Sequence, residues 1–417
     1  MIGMNNKIPV IWYISHYIAP PEFDTHSRAI KFTEYLSLHG YDVTIFSSSF
    51  LHNKNIDLIT DKRKFIEKVY NGKKFVHIKT RGYKSNGLSR FYSLFQFSVR
   101  LLHIRNKFQK PDIIIHTAQI PFQNLIIRLA HKLNAKYIVE VLDLWPESFV
   151  AYKLIGKKNP LLKLAYSAER KVYEKADSII FSMEGGKDYI IEKKWDIENG
   201  GKIDLNKVYY INNGVDINEF EENKIKYRIE DRDLEDTNSF KVIYLGSIRL
   251  ANNLKQLIEA AYQLKENSNI KFLIFGDGNE RQTLEKYCIE NKISNVIFKQ
   301  KWIELKYVPY VVSQSSLNII NYMPSDILKY GGSQGKLFQY LAGGKPICSN
   351  VKMGYCLINK YNLGIAENFQ TPRDYANAIL KLAQLDENQY SDMCLRVKNV
   401  ALGFDYKILT EKLILSF

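Results

Sequence analysis

The chain of 417 residues has little that could brace it from outside its core. Its four cysteines, Cys288, Cys348, Cys356 and Cys394, form no CxxC pair and keep no metal-ligand spacing with a histidine. That pattern excludes a disulfide framework and a structural zinc, and it suits a reducing cytoplasm. No run of eighteen apolar residues occurs, so no spanning helix is expected. The N-terminal stretch IPVIWYIS is short, lacks a small-residue cleavage site and reads as a first strand. Internal repeats, low-complexity tracts, a Walker loop and a GxGxxG turn are all missing. Acid is missing in one place: from Lys68 to Pro111 there are eleven Lys or Arg and no Asp or Glu, so the net charge of +15 is lopsided.

An apolar fraction of 46% with 25% charged residues belongs to a folded protein, and the length calls for two domains. The basic segment calls for an anionic partner. Within it LSRFYSLFQFSVRLLHIRNKF, Leu88 to Phe108, has bulky apolar residues at helical spacing among cations. Arg90, Phe91, Phe95, Arg100 and Arg105 are therefore expected to meet an anionic membrane surface. A core helix with a solvated basic face is the alternative, and nucleic acid is not expected because no recognition signature accompanies the charge.

Buried-strand runs alternate with amphipathic segments: VIWYIS, DVTIFSS, FVHIKT, DIIIHT, KYIVEVLD, SIIFSM and KVYYINNG, then KVIYLGS, IKFLIFGDG, NVIFKQ, LNIINY, PICSN and LGIAEN. Strand then helix, repeated, predicts an α/β chain of two doubly wound, Rossmann-like parallel-sheet domains facing across a cleft. The boundaries are residues 1–215, a charged linker over 216–240, a second domain over 241–395, and a closing helical segment over 396–417.

Ligands of such sheets bind in the loops after the strands. The loop after the first strand, which holds two prolines, offers His16, Glu22, Asp24, His26 and Arg28 between that strand and a helix; a cap on that helix accounts for only one of them. After KYIVEV, Asp143 and Trp145 suit sugar hydroxyls and a sugar face, or equally a helix cap and a packed ring. In the second domain the turn with Gly246, Ser247, Arg249 and Asn252, and the turn at Gly276, suit the close approach of a diphosphate. The stretch GGSQGKLFQYLAGGKPICSN presents Ser333, Gln334 and Gly335 at a helix start, with Lys336 beside them and Leu337 and Gln339 following. The same glycines could simply start and stop a core helix.

Taken together, PPEFDTHSRA, DLWPES, INNGVDINEF, YLGSIRLANNL, IFGDGNERQTLEKY and SQGKLFQYLAGGKPI resemble, in order and spacing from about residue 10 to 410, the retaining GT-B glycosyltransferases of family 4 that assemble bacterial surface polysaccharides. The resemblance implies a donor nucleotide sugar, uridine-linked, held by the second domain and a lipid-linked (polyprenyl-diphosphate) saccharide acceptor held by the first. It implies a hexosyl- or N-acetylhexosaminyltransferase of O-antigen or capsule type, peripheral on the inner face of the cell membrane, with a last helix that returns to the first domain. No metal and no cofactor is implied: a basic residue and helix amides meet the departing diphosphate. The family's glycine-arginine-lysine site falls on Gly246, Ser247 and Asn252, so Arg249 is expected to supply the charge, with Lys336 as a second candidate. The family's paired glutamates fall on Gly331 and Gln339; Gln339 is expected to hold the ribose, and Asp326 is a candidate for the sugar. Asp143 and His26 are expected to face the sugar and acceptor. A catalytically silent GT-B binding subunit and a sugar-nucleotide epimerase of similar architecture are the alternatives.

Overall fold

The computed structural model describes residues 8–24, 27–52, 54–84, 87–118 and 122–417. The chain forms two compact units: Met1–Asn212 together with Tyr406–Phe417, and Asn213–Asp405.

In the first unit the strands are β1 (Val10–Ile14), β2 (Asp42–Ser48), the short pair β3 (Phe50–Leu51) and β4 (Ile56–Asp57), β5 (Phe65–Tyr70), β6 (Lys73–Ile78), β7 (Ile113–Thr117), β8 (Lys136–Val141), β9 (Ser178–Phe181) and β10 (Val208–Tyr210). Eight of them form one sheet in the order β10-β9-β8-β7-β1-β2-β6-β5, parallel except for the β5–β6 hairpin. Every residue of β1 and β7 is buried, including His116 and Thr117, as expected of central strands covered by helices on both faces. The helices are α1 (Arg28–Leu38), α2 (Leu88–Ile104), α3 (Gln123–Leu133), α4 (Glu147–Ala151), α5 (Pro160–Lys175) and α6 (Gly186–Glu192).

The second unit adds α7 (Ile217–Lys226), α8 (Arg232–Glu235), β11 (Phe240–Leu245), α9 (Leu254–Gln263), β12 (Ile270–Phe275), α10 (Arg281–Glu290), β13 (Val296–Phe298), α11 (Val308–Ser313), β14 (Leu317–Ile320), α12 (Gly335–Gly343), β15 (Ile347–Ser349), α13 (Leu357–Lys360), β16 (Gly364–Ala366), α14 (Pro372–Ala383) and α15 (Glu387–Leu402). Its sheet runs β13-β12-β11-β14-β15-β16 and is parallel throughout. A last helix, α16 (Tyr406–Ile414), belongs to the first unit, where Tyr406, Leu409 and Leu413 pack with Phe32 of α1.

Each predicted buried strand is present. The pattern missed β5, an antiparallel edge strand whose consecutive Glu67, Lys68 and Val69 are exposed, so that no apolar run marks it. Residues 216–240 are not an extended linker. Asp216 caps α7 through the Glu219 amide, Phe220 and Leu234 are buried in the second unit, and Asp231 and Asp233 pair with Lys299, so the charged segment is packed structure. Residues 396–417 are not one helix either: the segment is divided between α15 and α16 at Gly403–Asp405.

Charge is buried at the centre of the first unit. Arg28 Nε donates to Glu140 Oε1 at 2.6 Å, Nη2 donates to the Ile211 carbonyl at 2.8 Å, and Nη1 donates to the Asn212 carbonyl. Tyr13 Oη and Thr117 Oγ1 donate to Glu140 Oε2 at 2.7 and 3.2 Å. Removing one partner of a buried pair leaves the other uncompensated, so Glu140→Gln is expected to destabilise the first unit by about 3 kcal/mol, read from denaturant unfolding. A loss under about 1 kcal/mol would show that the pair is dispensable.

Four buried groups set a pH profile. Burial holds His16 and His116 down to about 3 and His77 down to about 4, so all three are neutral in the fold. Unfolded, they take up protons below about 6.5, and their contribution disappears as pH falls from there. Glu169 acts in the opposite sense. Burial lifts its carboxyl to about 8 despite donation from Tyr173 and Tyr189, so stability falls as pH rises from about 4.5 to about 8. The thermal midpoint is expected to peak near pH 6.5, and Glu169→Gln to flatten the alkaline side; a midpoint that climbs steadily to pH 8 would contradict this assignment.

Candidate functional site

In open parallel sheets the crevice lies outside the carboxyl ends of the strands where strand order reverses. In the second unit the reversal is between β11 and β14. After β11 the chain turns through Gly246 and Ser247, and this turn is stitched to the one after β12: the Gly246 amide donates to the Phe275 carbonyl at 3.0 Å and the Ile248 amide to the Asp277 carbonyl at 2.8 Å. A Cβ on Gly276 would overlap the Gly246 carbonyl oxygen, so only glycine allows this contact. From the β14 side, Asn321 Nδ2 donates to the carbonyls of Asn252 and Asn253 at 2.8 and 2.6 Å. The crevice walls are thereby fixed by backbone hydrogen bonds and by the Asn321 side chain.

Among the described residues, one cation is seen to enter this crevice. Lys336, in the first turn of α12, places Nζ 4.5 Å from the centroid of the Tyr244 ring, 5.7 Å from that of Tyr322, and 3.4 Å from Tyr244 Oη. A Cβ built on Gly246 would lie 2.7 Å from that Nζ. Burial brings its pKa down to about 8. No side chain caps α12, so its first amides keep their affinity for an anion. Gln339 is half-buried one turn on, and among the described residues it makes no hydrogen bond.

The other predicted donor groups are distributed differently. Arg249 is exposed and has no partner among the described residues. Ser247 Oγ donates to Asn252 Oδ1 at 2.9 Å, a neutral pair that satisfies itself. Ser333 is engaged with Asn213, whose Nδ2 donates to its carbonyl at 2.9 Å; Gln334 Nε2 lies 3.0 Å from Met353 Sδ. Gly335 is exposed with open space where a Cβ would stand. Leu337 is a core residue of α12, packed in the cluster with Phe338 and Leu341, which corrects its expected place at the ligand. Asp326 is exposed on the 3-10 turn Asp326–Tyr330.

In the first unit the reversal lies between β1 and β7. A cavity of about 720 Å³ opens there, lined by Tyr17 after β1, Thr117 and Ala118 at the end of β7, and Leu142 and Asp143 after β8. Asp143 reaches water through the cavity mouth, yet the surrounding apolar wall raises its pKa, and it makes no hydrogen bond among the described residues. Trp145 lines the same cavity, edge-on to Phe149 at 4.1 Å. Of the first-loop residues, Glu22 is exposed, Asp24 is half-buried, and His26 lies outside the described residues. His16 is buried with Nε2 3.1 Å from Ser93 Oγ. Arg28 spends Nε, Nη1 and Nη2 on Glu140 and two carbonyls, so it is a structural residue, not an acceptor ligand.

The basic helix is also rearranged. Arg90 donates to Tyr17 Oη at 2.8 Å, Arg100 to the Lys79 carbonyl and Arg105 to the Leu102 carbonyl, so these three arginines turn onto the protein instead of standing out as a charged face. What faces outward on the first turns of α2 is apolar: Leu88, Phe91, Tyr92 and Phe95 are all exposed. Among the described residues no helix is long and apolar enough to cross a membrane, and no group of three His, Cys, Asp or Glu could hold a metal ion.

Two family models match consecutive parts of the chain: Glycosyltransferase Family 4 over residues 27–219 and Glycosyl transferases group 1 over residues 226–394. Together the two matches span most of the chain and, with the two-domain fold, support a GT-B glycosyltransferase. Solved structures agree on the fold. Sucrose-phosphate synthase from Thermosynechococcus elongatus superposes with a TM-score of 0.71 at 15% identity, covering 98% of each chain. The E. coli trehalose-6-phosphate protein bound with UDP-2-fluoro glucose gives 0.71 at 11%, covering 97% of this chain and 98% of its own. HepE of Anabaena in complex with UDP and glucose gives 0.63 at 13%, with the same coverage. No curated protein sequence matches the chain.

Sequence reasoning did not single out Tyr244, Tyr322 or Asn321, which shape the crevice of the second unit. Strand parity was the available signal, since Tyr244 and Gly246 are two residues apart and share a face. Gly331, where the family resemblance would put a glutamate, has φ 87° and ψ −166°, a region open essentially to glycine alone. Gly331→Glu is therefore expected to destabilise the second unit by about 1–3 kcal/mol. A variant as stable as the parent in urea would refute the conformational argument.

Proposed function

We propose that this GT-B glycosyltransferase moves a sugar, with retention at the anomeric carbon, from a uridine-diphosphate donor to a lipid-linked saccharide in bacterial surface polysaccharide assembly. The transferred unit is a hexose or an N-acetylhexosamine. The observation that carries the donor half is Lys336 lodged against Gly246 in the crevice between β11 and β14, beside the uncapped start of α12. The complexes of similar fold with UDP and with UDP-2-fluoro glucose support a uridine nucleotide.

As the bond from the anomeric carbon to the diphosphate breaks, the electron pair leaves with the diphosphate, and negative charge develops there. Lys336 and the amides of Ser333 to Gly335 meet that charge in a partly dry crevice, where fixed donors are most effective. Arg249 is the second cation, free to swing in from the surface. Gln339 offers both a donor and an acceptor to the ribose hydroxyls. Asp143 receives the acceptor, in the company of Trp145.

A second reading, a catalytically silent binding subunit, draws on the neutral Ser247–Asn252 pair at the positions of the family cations. Turnover separates the two. With a panel of UDP-sugars and a lipid-linked saccharide, an enzyme releases UDP; a silent subunit releases none. UDP is expected to raise the melting temperature, and Lys336→Ala to cut transfer by about 10² or more, the scale of a lost transition-state donor. Donor affinity should weaken as pH rises through about 8, where the Lys336 amine loses its proton, and Lys336→Ala should be indifferent to that change. Transfer left intact in Lys336→Ala would remove this residue from the site.

A further inference from the structure

The cavity of the first unit is unlike a sugar site. Its polar groups are few, chiefly Tyr17, Arg90, Thr117 and Asp143, and Thr117 already donates to Glu140. The rest of the wall is apolar; besides loop residues such as Leu142, Pro146 and Ile155 it is built from Phe91 and Leu94 of α2, Phe149 of α4, and Leu161 and Leu162 of α5. A saccharide needs hydrogen-bond partners for its hydroxyls, and a wall of this kind leaves them unpaired. An alkyl or isoprenoid chain needs none.

The wall does not stop at the rim. Phe91 and Leu161 line the cavity and are also 49% and 66% exposed. Around them Leu88, Tyr92 and Phe95 on α2, and Leu154 and Leu164 near and on α5, are exposed as well. A contiguous outward apolar face that runs into a cavity is the entrance of a site, and isolated exposed side chains do not do this. Charge fits the same ligand. Arg90 brings a positive charge to the cavity, and the surrounding segment from Lys68 to Pro111 carries eleven cations and no acid.

We infer that this cavity binds the first units of the lipid chain of a phosphorylated lipid acceptor, entering between α2 and α5, with the phosphate end beside Arg90. The inference rests on the lipid-linked acceptor proposed above and assigns where its lipid is held: in a pocket of the enzyme, with the sugar lying beyond the apolar wall. The occupant is a single phosphorylated prenyl lipid, not the bilayer surface.

The test uses the full chain and farnesyl diphosphate below its micellar concentration, followed by titration calorimetry and by the fluorescence of Trp145 against a Trp145→Phe control. Saturable binding is expected, weakened at least tenfold by Leu161→Glu and by Phe149→Ser; Leu161 is exposed, so its variant should keep the parent's melting temperature. Arg90→Gln should weaken farnesyl diphosphate and leave farnesol unchanged. Inorganic pyrophosphate that competes as well as farnesyl diphosphate would overturn the proposal, and so would affinities within twofold of the parent in both wall variants. Loss of vesicle binding in Leu161→Glu with farnesyl diphosphate binding intact would make the face a membrane surface and overturn it too. UDP binding is measured in parallel: its failure would strike the donor assignment alone, whereas failure of farnesyl diphosphate alone strikes this one.

Discussion

The buried ion pair between Arg28 and Glu140 holds the first unit in register. Arg28 opens α1, Glu140 sits in β8, and the remaining guanidinium donors close on the carbonyls of Ile211 and Asn212, where the chain leaves the unit. Tyr13 of β1 and Thr117 of β7 complete the shell. One carboxylate thus connects three adjacent strands at their carboxyl ends, beside the crevice where the cavity forms. A buried charge is tolerable only when so fully hydrogen-bonded, and that demand fixes the position of each contributor. The strand ends that border the first unit's crevice are held together by satisfying this pair.

In the second unit the buried Arg281 plays a comparable part, donating to the Gly276 and Lys299 carbonyls while it pairs with Glu285. Glycine contacts and asparagine-to-carbonyl bonds join the loops after β11, β12 and β14, leaving a slot walled by Tyr244 and Tyr322. Lys336 fills that slot. Aromatic faces offset part of the desolvation of its ammonium, and burial still leaves it easier to deprotonate than a surface lysine. An anion arriving there meets a cation already stripped of much of its water.

The alternation of apolar runs made the two sheets legible, because a parallel sheet covered on both faces writes itself as short runs dominated by Ile, Leu and Phe, as in β7 and β12. The glycine turns were legible for the same reason: each follows such a run. What side chains do after folding was much less so. Arg28 reads as a loop ligand because nothing local betrays Glu140, 112 residues away. Arg90, Arg100 and Arg105 read as an outward basic stripe, although each finds an oxygen on the protein. The apolar wall from Phe149 to Leu162 was invisible as a site, since its residues have the spacing of ordinary core and only the cavity shows that they face one another.

The chain leaves the first unit at Asn212 and re-enters it at Tyr406, so the whole second unit lies, in sequence, inside the first. A ribosome makes these pieces in order. The second unit, Asn213–Asp405, is finished while the first still lacks the helix whose Tyr406, Leu409 and Leu413 cover Phe32 and Ile211. Until those last residues emerge, the nascent first unit carries an uncovered apolar face, the kind of surface that chaperones hold and that aggregation exploits. Synthesis therefore imposes an order on maturation: the unit encoded first is the one completed last.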